Sequence, residues 1–253
     1  DEKYNHLILL AKNNDGYKKL AKLGSLGFKE GFYYKPRIDK EILEKYHDGL
    51  ICLSACLAGE VSQAILNNNI EEAKKVALWF KNLFGEDYYL EVQNNGIKEQ
   101  VLVNQKLVEL SRELEIPLVA TNDAHYLKRE DAYNHEVLLC IQTGKRMNDE
   151  DRMRFDTEEL YVKSPEEMID YFKNIPDAVE NTVKIAEKCN VEFEFGHTIL
   201  PNYDVPEQYA THYDYLEKLT VDGLTKRYGE EITNEIKEKK WYKVMEQLAQ
   251  VYV

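Results

Sequence analysis

After the apolar run Pro117–Thr121 (PLVAT) the chain continues Asn-Asp-Ala-His. Asp123 and His125 stand two residues apart, so in extended backbone both project to one side, where a carboxylate oxygen and an imidazole nitrogen can share a divalent ion. The same pattern also serves a plainer purpose, an aspartate capping the next turn beside a half-buried histidine. Cys56 holds a comparable place after the run Gly49–Leu53 (GLICL). A thiolate there is a soft ligand suited to zinc, and a thiol there can equally be a small buried hydrophobe, as Cys52 reads. His6 opens a third apolar run and is either a ligand or a core histidine with a hydrogen-bonded ring. Its place at a strand's start fits poorly with the gathering of functional groups at the carboxyl ends of parallel strands. His135 lies in a helical pattern (NHEVLLC) and reads as a structural hydrogen bonder, while His47, His197 and His212 sit in charged or loop contexts.

Other chemistries lack their residues. The sequence has no Gly-rich phosphate loop and no Gly-x-Ser-x-Gly elbow, which removes support from nucleotide-dependent kinase and serine-hydrolase readings. Lys145–Phe155 (KRMNDEDRMRF) gathers basic residues near an aromatic, but acids interrupt it, and it reads as a solvated loop rather than a nucleic-acid contact.

The elements that must position these groups follow from periodicity. Apolar runs at Asn5–Ala11, Gly49–Leu53, Tyr88–Val92 and Pro117–Thr121 predict four strands. Helical spacing fills Tyr17–Leu26, the stretch through Leu66 and on from Glu71 to Phe80, and Gln100–Leu114. Repeated β then α in one chain predicts parallel strands with right-handed crossovers. Beyond Asp123 helices are expected over Asp131–Gln142, from Ser164, where Ser-Pro-Glu-Glu supplies a cap, an N1 proline and a capping-box glutamate, and over Pro176–Cys189. Gly196–Ala210, with two prolines, reads as an extended linker, and the charged remainder from Tyr213 as helical.

At 253 residues the chain can bury one good core. Lys and Arg number 33 against 46 Asp and Glu, a net charge of −13. That sign opposes a surface that grips phosphates by counterion release, so nucleic-acid contact would be local or made elsewhere. The sequence has no apolar run long enough to span a membrane. Cys52, Cys56, Cys140 and Cys189 make neither a disulfide framework nor a paired CxxC, so reduced thiols in the cytoplasm are expected. The opening DEKYNHLILL lacks both a leader's basic region and an initiating Met, as an internal piece of a longer protein would.

Four ordered blocks, NHLILLAKNNDGYKKL, GLICLSACLAGE, PLVATNDAHYL and HEVLLCIQTGKRM, closely resemble the alpha-subunit family of bacterial DNA polymerase III. The resemblance implies the C-terminal part of a PHP (polymerase and histidinol phosphatase) domain over residues 1–195. The linker and the helical start of the polymerase palm region would take 196–253. The fold implied is α/β, an incomplete distorted parallel β/α barrel of PHP type, followed by helices and an extended linker. The resemblance also implies that His6, Cys56, Asp123 and His125 are metal ligands, for zinc or manganese, with magnesium at a palm outside this sequence. The family's opening His-x-His block, an Asp-His segment and a glutamate ligand would precede residue 1. The palm's paired aspartates and Gly-Ser motif do not occur, so no residue for polymerisation or nucleotide binding is expected here.

For the intact parent the resemblance implies a DNA-directed DNA polymerase that acts on DNA and deoxynucleotides, partners a proofreading exonuclease and a sliding clamp, and meets no membrane. Within this chain three roles compete. One is a metal-dependent 3′ to 5′ exonuclease or phosphoesterase, and another is an inactive scaffold that buttresses the polymerase and docks the exonuclease. A free-standing phosphatase is the third, and the linker and helical tail speak against it. Alone, the chain is expected to bind metal weakly or not at all, because ligands must converge from strands it lacks.

Overall fold

A computed structural model of the chain describes residues 4–198, 200 and 203–238. Its residues divide into two compact units, Asp1–Phe193 and Glu194–Val253. The first unit is built on four strands, β1 (Ile8–Ala11), β2 (Leu50–Leu53), β3 (Tyr88–Gln93) and β4 (Leu118–Thr121), in the order β1-β2-β3-β4. Parallel pairing joins β2 to β3 and β3 to β4, whereas β1 runs antiparallel to β2, with Ile8 opposite Leu53 and Ala11 opposite Leu50. The sheet is therefore mixed, not wholly parallel as the β-then-α pattern predicted. An apolar run carries no direction, so local pattern leaves the sense of an edge strand open. Among the described residues the sheet does not close on itself, which is the α/β arrangement of an incomplete barrel.

Between β1 and β2 lie α1 (Asn14–Lys29) and α2 (Lys40–Tyr46); α3 (Glu60–Leu66) and α4 (Ile70–Phe84) lead to β3, and α5 (Lys98–Leu114) to β4. Their starts follow from side-chain caps. Asn13 accepts from Gly16 N–H at 2.9 Å, Asp39 from Ile42 N–H at 2.8 Å and Asn69 from Glu72 N–H at 3.1 Å. The seven-residue α2 escapes periodicity and depends on that Asp39 cap. Asn68, in left-handed backbone at φ 55, separates α3 from α4. After β4 come α6 (Ala132–Thr143), α7 (Pro165–Tyr171) and α8 (Pro176–Lys188). The expected capping box at α7 is present, with Ser164 and Glu167 serving each other's backbone N–H.

Alternation gives the sheet two faces. Leu50, Cys52, Tyr88, Leu90, Val92 and Ala120 pack with the apolar stripes of the helices in the main core. Ile51, Leu53, Tyr89 and Val119 face the other way and form a smaller cluster with Ile185 of α8. Toward the carboxyl ends of β3 and β4 this second face turns polar, at Glu91, Gln93 and Thr121. Asn181 of α8 donates to Leu118 O at 2.7 Å and so covers the free edge of β4.

In the second unit the extended segment leads to α9 (His212–Glu238), kinked at Gly229 where φ is 84 and ψ 169. Thr211 and Asp214 cap its start, with Thr211 N–H donating to Asp214 at 3.0 Å and Asp214 N–H to Thr211 at 3.1 Å. The expectation of helix beyond residue 238 lies outside the described residues.

Candidate metal centre

The reversed sense of β1 decides where His6 goes. Because Ile8 pairs with Leu53, the start of β1 stands level with the carboxyl end of β2. His6 N–H donates to Ala58 O at 3.0 Å, and His6 bridges Gly59. Its Nδ1 lies 3.5 Å from Cys56 Sγ. His6 thus sits at the carboxyl rim after all, and the objection raised by its place in the sequence rested on assuming a parallel strand. Gly59 closes the tight turn that carries Cys56, since a Cβ there would meet Ser54 O at 2.1 Å and Cys56 O at 3.2 Å. Ala55, in left-handed backbone at φ 64, makes the turn from β2 into Cys56.

Asp123 and His125 form the second pair, with Asp123 Oδ1 3.6 Å from His125 Nε2. Asp123 is itself left-handed, at φ 48. Residues 160–163 hold this loop: His125 N–H donates to Leu160 O at 2.7 Å, Val162 N–H to Leu127 O at 3.3 Å and Asn122 Nδ2 to Tyr161 O at 2.8 Å. Lys163 is buried, and its ammonium donates to Asn95 Oδ1 at 3.4 Å, Asn122 Oδ1 at 3.2 Å and Glu159 O. Burial holds its pKa below the usual lysine value, against the pull of Glu159 and Glu167.

Between the two pairs stands Glu91 of β3, 5% exposed. Thr121 Oγ1 and Gln93 Nε2, the latter at 3.0 Å, donate to its Oε1. Gln100 of α5 continues this network by donating to Gln93 Oε1 at 3.3 Å and accepting from Asn95 N–H at 2.8 Å. Burial pushes the Glu91 carboxyl upward, with Asp123 adding to the push, while Thr121, Gln93 and the Ala55 amide oppose it. Burial likewise raises the Cys56 thiol, against the Ala58 amide and with help from Asp123 and Glu91. Glu91, Cys56 and Asp123 therefore share one electrostatic neighbourhood.

Imidazole, thiol and carboxylate are the donors that zinc takes, and imidazole with carboxylate also suits manganese, so the chemistry of the four residues fits a divalent ion. They are arranged as His6–Cys56 and Asp123–His125, and among the described residues no three His, Cys, Asp or Glu side chains converge at metal distance.

Sequence reasoning missed Glu91 and set His135 aside as a structural hydrogen bonder. Glu91 is a charge inside the otherwise apolar strand YYLEV, a signal that was visible. His135 gave no such signal; its ring centroid lies 5.5 Å from that of His125, and Phe155 stacks beside it at 5.8 Å. Burial, then His125, holds the His135 pKa below the ordinary histidine value. His135 and Phe155 line a cleft of about 560 Å³ together with Tyr126, Arg129 and Glu158. In the basic stretch after α6, Lys145 faces Asp151 at 2.5 Å, Arg152 faces Glu136 at 2.6 Å and Arg154 faces Asp156 at 3.6 Å. Those charges are spent within the chain.

Residues 1–95 match the PHP domain family. Over most of its length the chain is a homologue of DNA polymerase III alpha subunits. It is 52% identical to the subunit of Borreliella burgdorferi over 94% of this chain and 21% of that protein. For Treponema pallidum the identity is 43% over 96% and 21%, and for Thermus aquaticus 43% over 92% and 20%. The chain spans about a fifth of the length of the curated relatives it matches.

Proposed function

We propose that these residues form the metal-binding PHP module of a replicative DNA polymerase, and that the module is a metal-dependent 3′ to 5′ exonuclease or phosphoesterase. The observation that carries this is the gathering of four donors from three separate strands at one rim of the sheet, with β1 reversed to set His6 3.5 Å from Cys56. His6 and Cys56 would hold a zinc-type ion from one side, and Asp123 and His125 a zinc or manganese ion from the other. A divalent ion there supplies a lowered pKa to bound water and stabilises charge on a scissile phosphate. The chain's own part is to fix the donors: left-handed backbone at Ala55 and Asp123 turns them toward the rim, and residues 160–163 pin the Asp123 loop. DNA and deoxynucleotides would be substrates of the whole protein, with magnesium at its polymerising site, and a sliding clamp its partner. The free cysteines, and the lack among the described residues of a helix long and apolar enough to cross a membrane, accord with a cytoplasmic setting.

A specific observation favours a second reading, a scaffold that docks a separate proofreading exonuclease. On α6, Tyr133, Leu138 and Ile141 are 65%, 62% and 72% exposed, an apolar stretch of the kind that seeks a protein partner. Metal analysis of the full-length protein, with degradation of a mismatched primer, separates the two. Asp123→Ala and His125→Ala are expected to lower both bound metal and primer degradation. Unchanged metal and degradation in both variants would defeat the exonuclease assignment, and metal-free, inactive wild type would favour the scaffold.

A further inference from the structure

A charge inside an apolar strand needs a physical account, and hydrogen bonding gives Glu91 only half of one. Its main-chain N–H donates to Ser54 Oγ at 2.8 Å, two residues before Cys56. Its Oε1 accepts from Thr121, two residues before Asp123, and from Gln93. Glu91 thereby ties together the two strand ends that carry the thiol and the carboxylate-imidazole pair. Its second oxygen, Oε2, is buried and has no hydrogen-bond partner. A carboxylate withdrawn from water with one oxygen left unpaired is costly, and the cost is relieved by protonation or by a cation facing it. Every other part of the residue is anchored, so the free oxygen cannot swing out to solvent without breaking the bonds to Thr121 and Gln93.

We propose that Glu91 is a further member of the cation site, its Oε2 facing the divalent ion and joining the His6–Cys56 and Asp123–His125 pairs into one donor set. This rests on the metal-binding reading above.

Glu91→Gln tests the inference, because the amide keeps a carbonyl oxygen for Thr121 and Gln93 while it removes the charge and puts an NH2 in place of Oε2. Zinc and manganese titrations of the full-length protein by calorimetry, with Asp123→Ala in parallel, give the affinities; cobalt substitution gives a spectrum in which Cys56 supplies a thiolate band. Glu91→Gln is expected to weaken metal at least about tenfold, to alter the cobalt ligand-field bands while the thiolate band persists, and to leave the metal-free melting temperature no lower. Wild-type affinity and spectrum in Glu91→Gln, with metal lost in Asp123→Ala, would overturn the role of Glu91 and leave the metal site standing. Equal loss of stability with and without metal would make the carboxylate structural and overturn it too. No metal in the wild type, or full metal in Asp123→Ala, would remove the metal site itself and Glu91 with it.

Discussion

At Asp123 one residue answers two demands. Its backbone lies at φ 48, a region that aspartate and asparagine enter far more readily than other L residues with side chains, and its carboxylate is an exposed candidate donor. The two roles separate by substitution. Asp123→Asn tolerates the same backbone and is expected to leave folding stability within about 0.5 kcal/mol. Asp123→Val, β-branched and ill suited to positive φ, is expected to cost about 1–2 kcal/mol. Urea unfolding of the metal-free protein measures both, and equal stabilities would show that the left-handed turn is not what selects the residue. The sequence displayed the Asp-x-His spacing openly; it gave no hint that Asp123 would be left-handed, because φ at a loop residue is set by what the loop must reach.

The element that organises the site is β1 and its bridge to Gly59. A strand of four residues holds little energy of its own, yet its reversed sense carries His6 to the rim that Cys56 occupies. The turn from Ser54 to Gly59, which carries Cys56 to that bridge, depends on a position without a side chain, where a Cβ would meet Ser54 O at 2.1 Å. Gly59→Ala is therefore expected to cost about 1–3 kcal/mol by forcing the backbone apart, and to separate His6 from Cys56. Thermal unfolding checks the first effect, and loss of a shared cobalt-thiolate signal the second; a variant as stable as wild type would mean the contact relaxes freely. Helices were more legible than strand direction. Asn13, Asp39, Asn69 and Ser164 each mark a start with a cap. Even so, α2 was too short for periodicity to register.

On the scale of the whole first unit, the end of the sheet opposite the rim is held by charge. Asp87, just before β3, receives Lys12 from the end of β1 at 2.6 Å and Lys188 from the end of α8 at 2.9 Å. Burial opposes ionisation of Asp87, but the two lysines more than offset it, and its pKa lies below the ordinary aspartate value. A carboxylate depressed on folding contributes fully above its unfolded pKa of about 3.9. That contribution is lost as pH falls through the lower folded value. Asp87→Asn is expected to cost about 1–3 kcal/mol at pH 7, and its deficit against wild type to shrink progressively below pH about 4. A deficit in urea unfolding that is flat from neutral pH down to about 2 would show that the ion triad is not its source. These groups lie 75 and 101 residues apart in the chain, and no local pattern announces their meeting. The same holds for Glu91, whose charge stood out in β3 but whose bonds to Ser54 and Thr121 depend on register. By itself the sequence determined the apolar runs, the helix cap at Ser164 and the donor types, because these follow from periodicity and side-chain chemistry over a few residues. Only the tertiary structure decided that β1 runs backward, that His6 meets Cys56 and that a carboxylate oxygen is left buried without a partner. Those outcomes are relations between distant segments, fixed when packing selects one strand register and one direction among many that the local pattern allows.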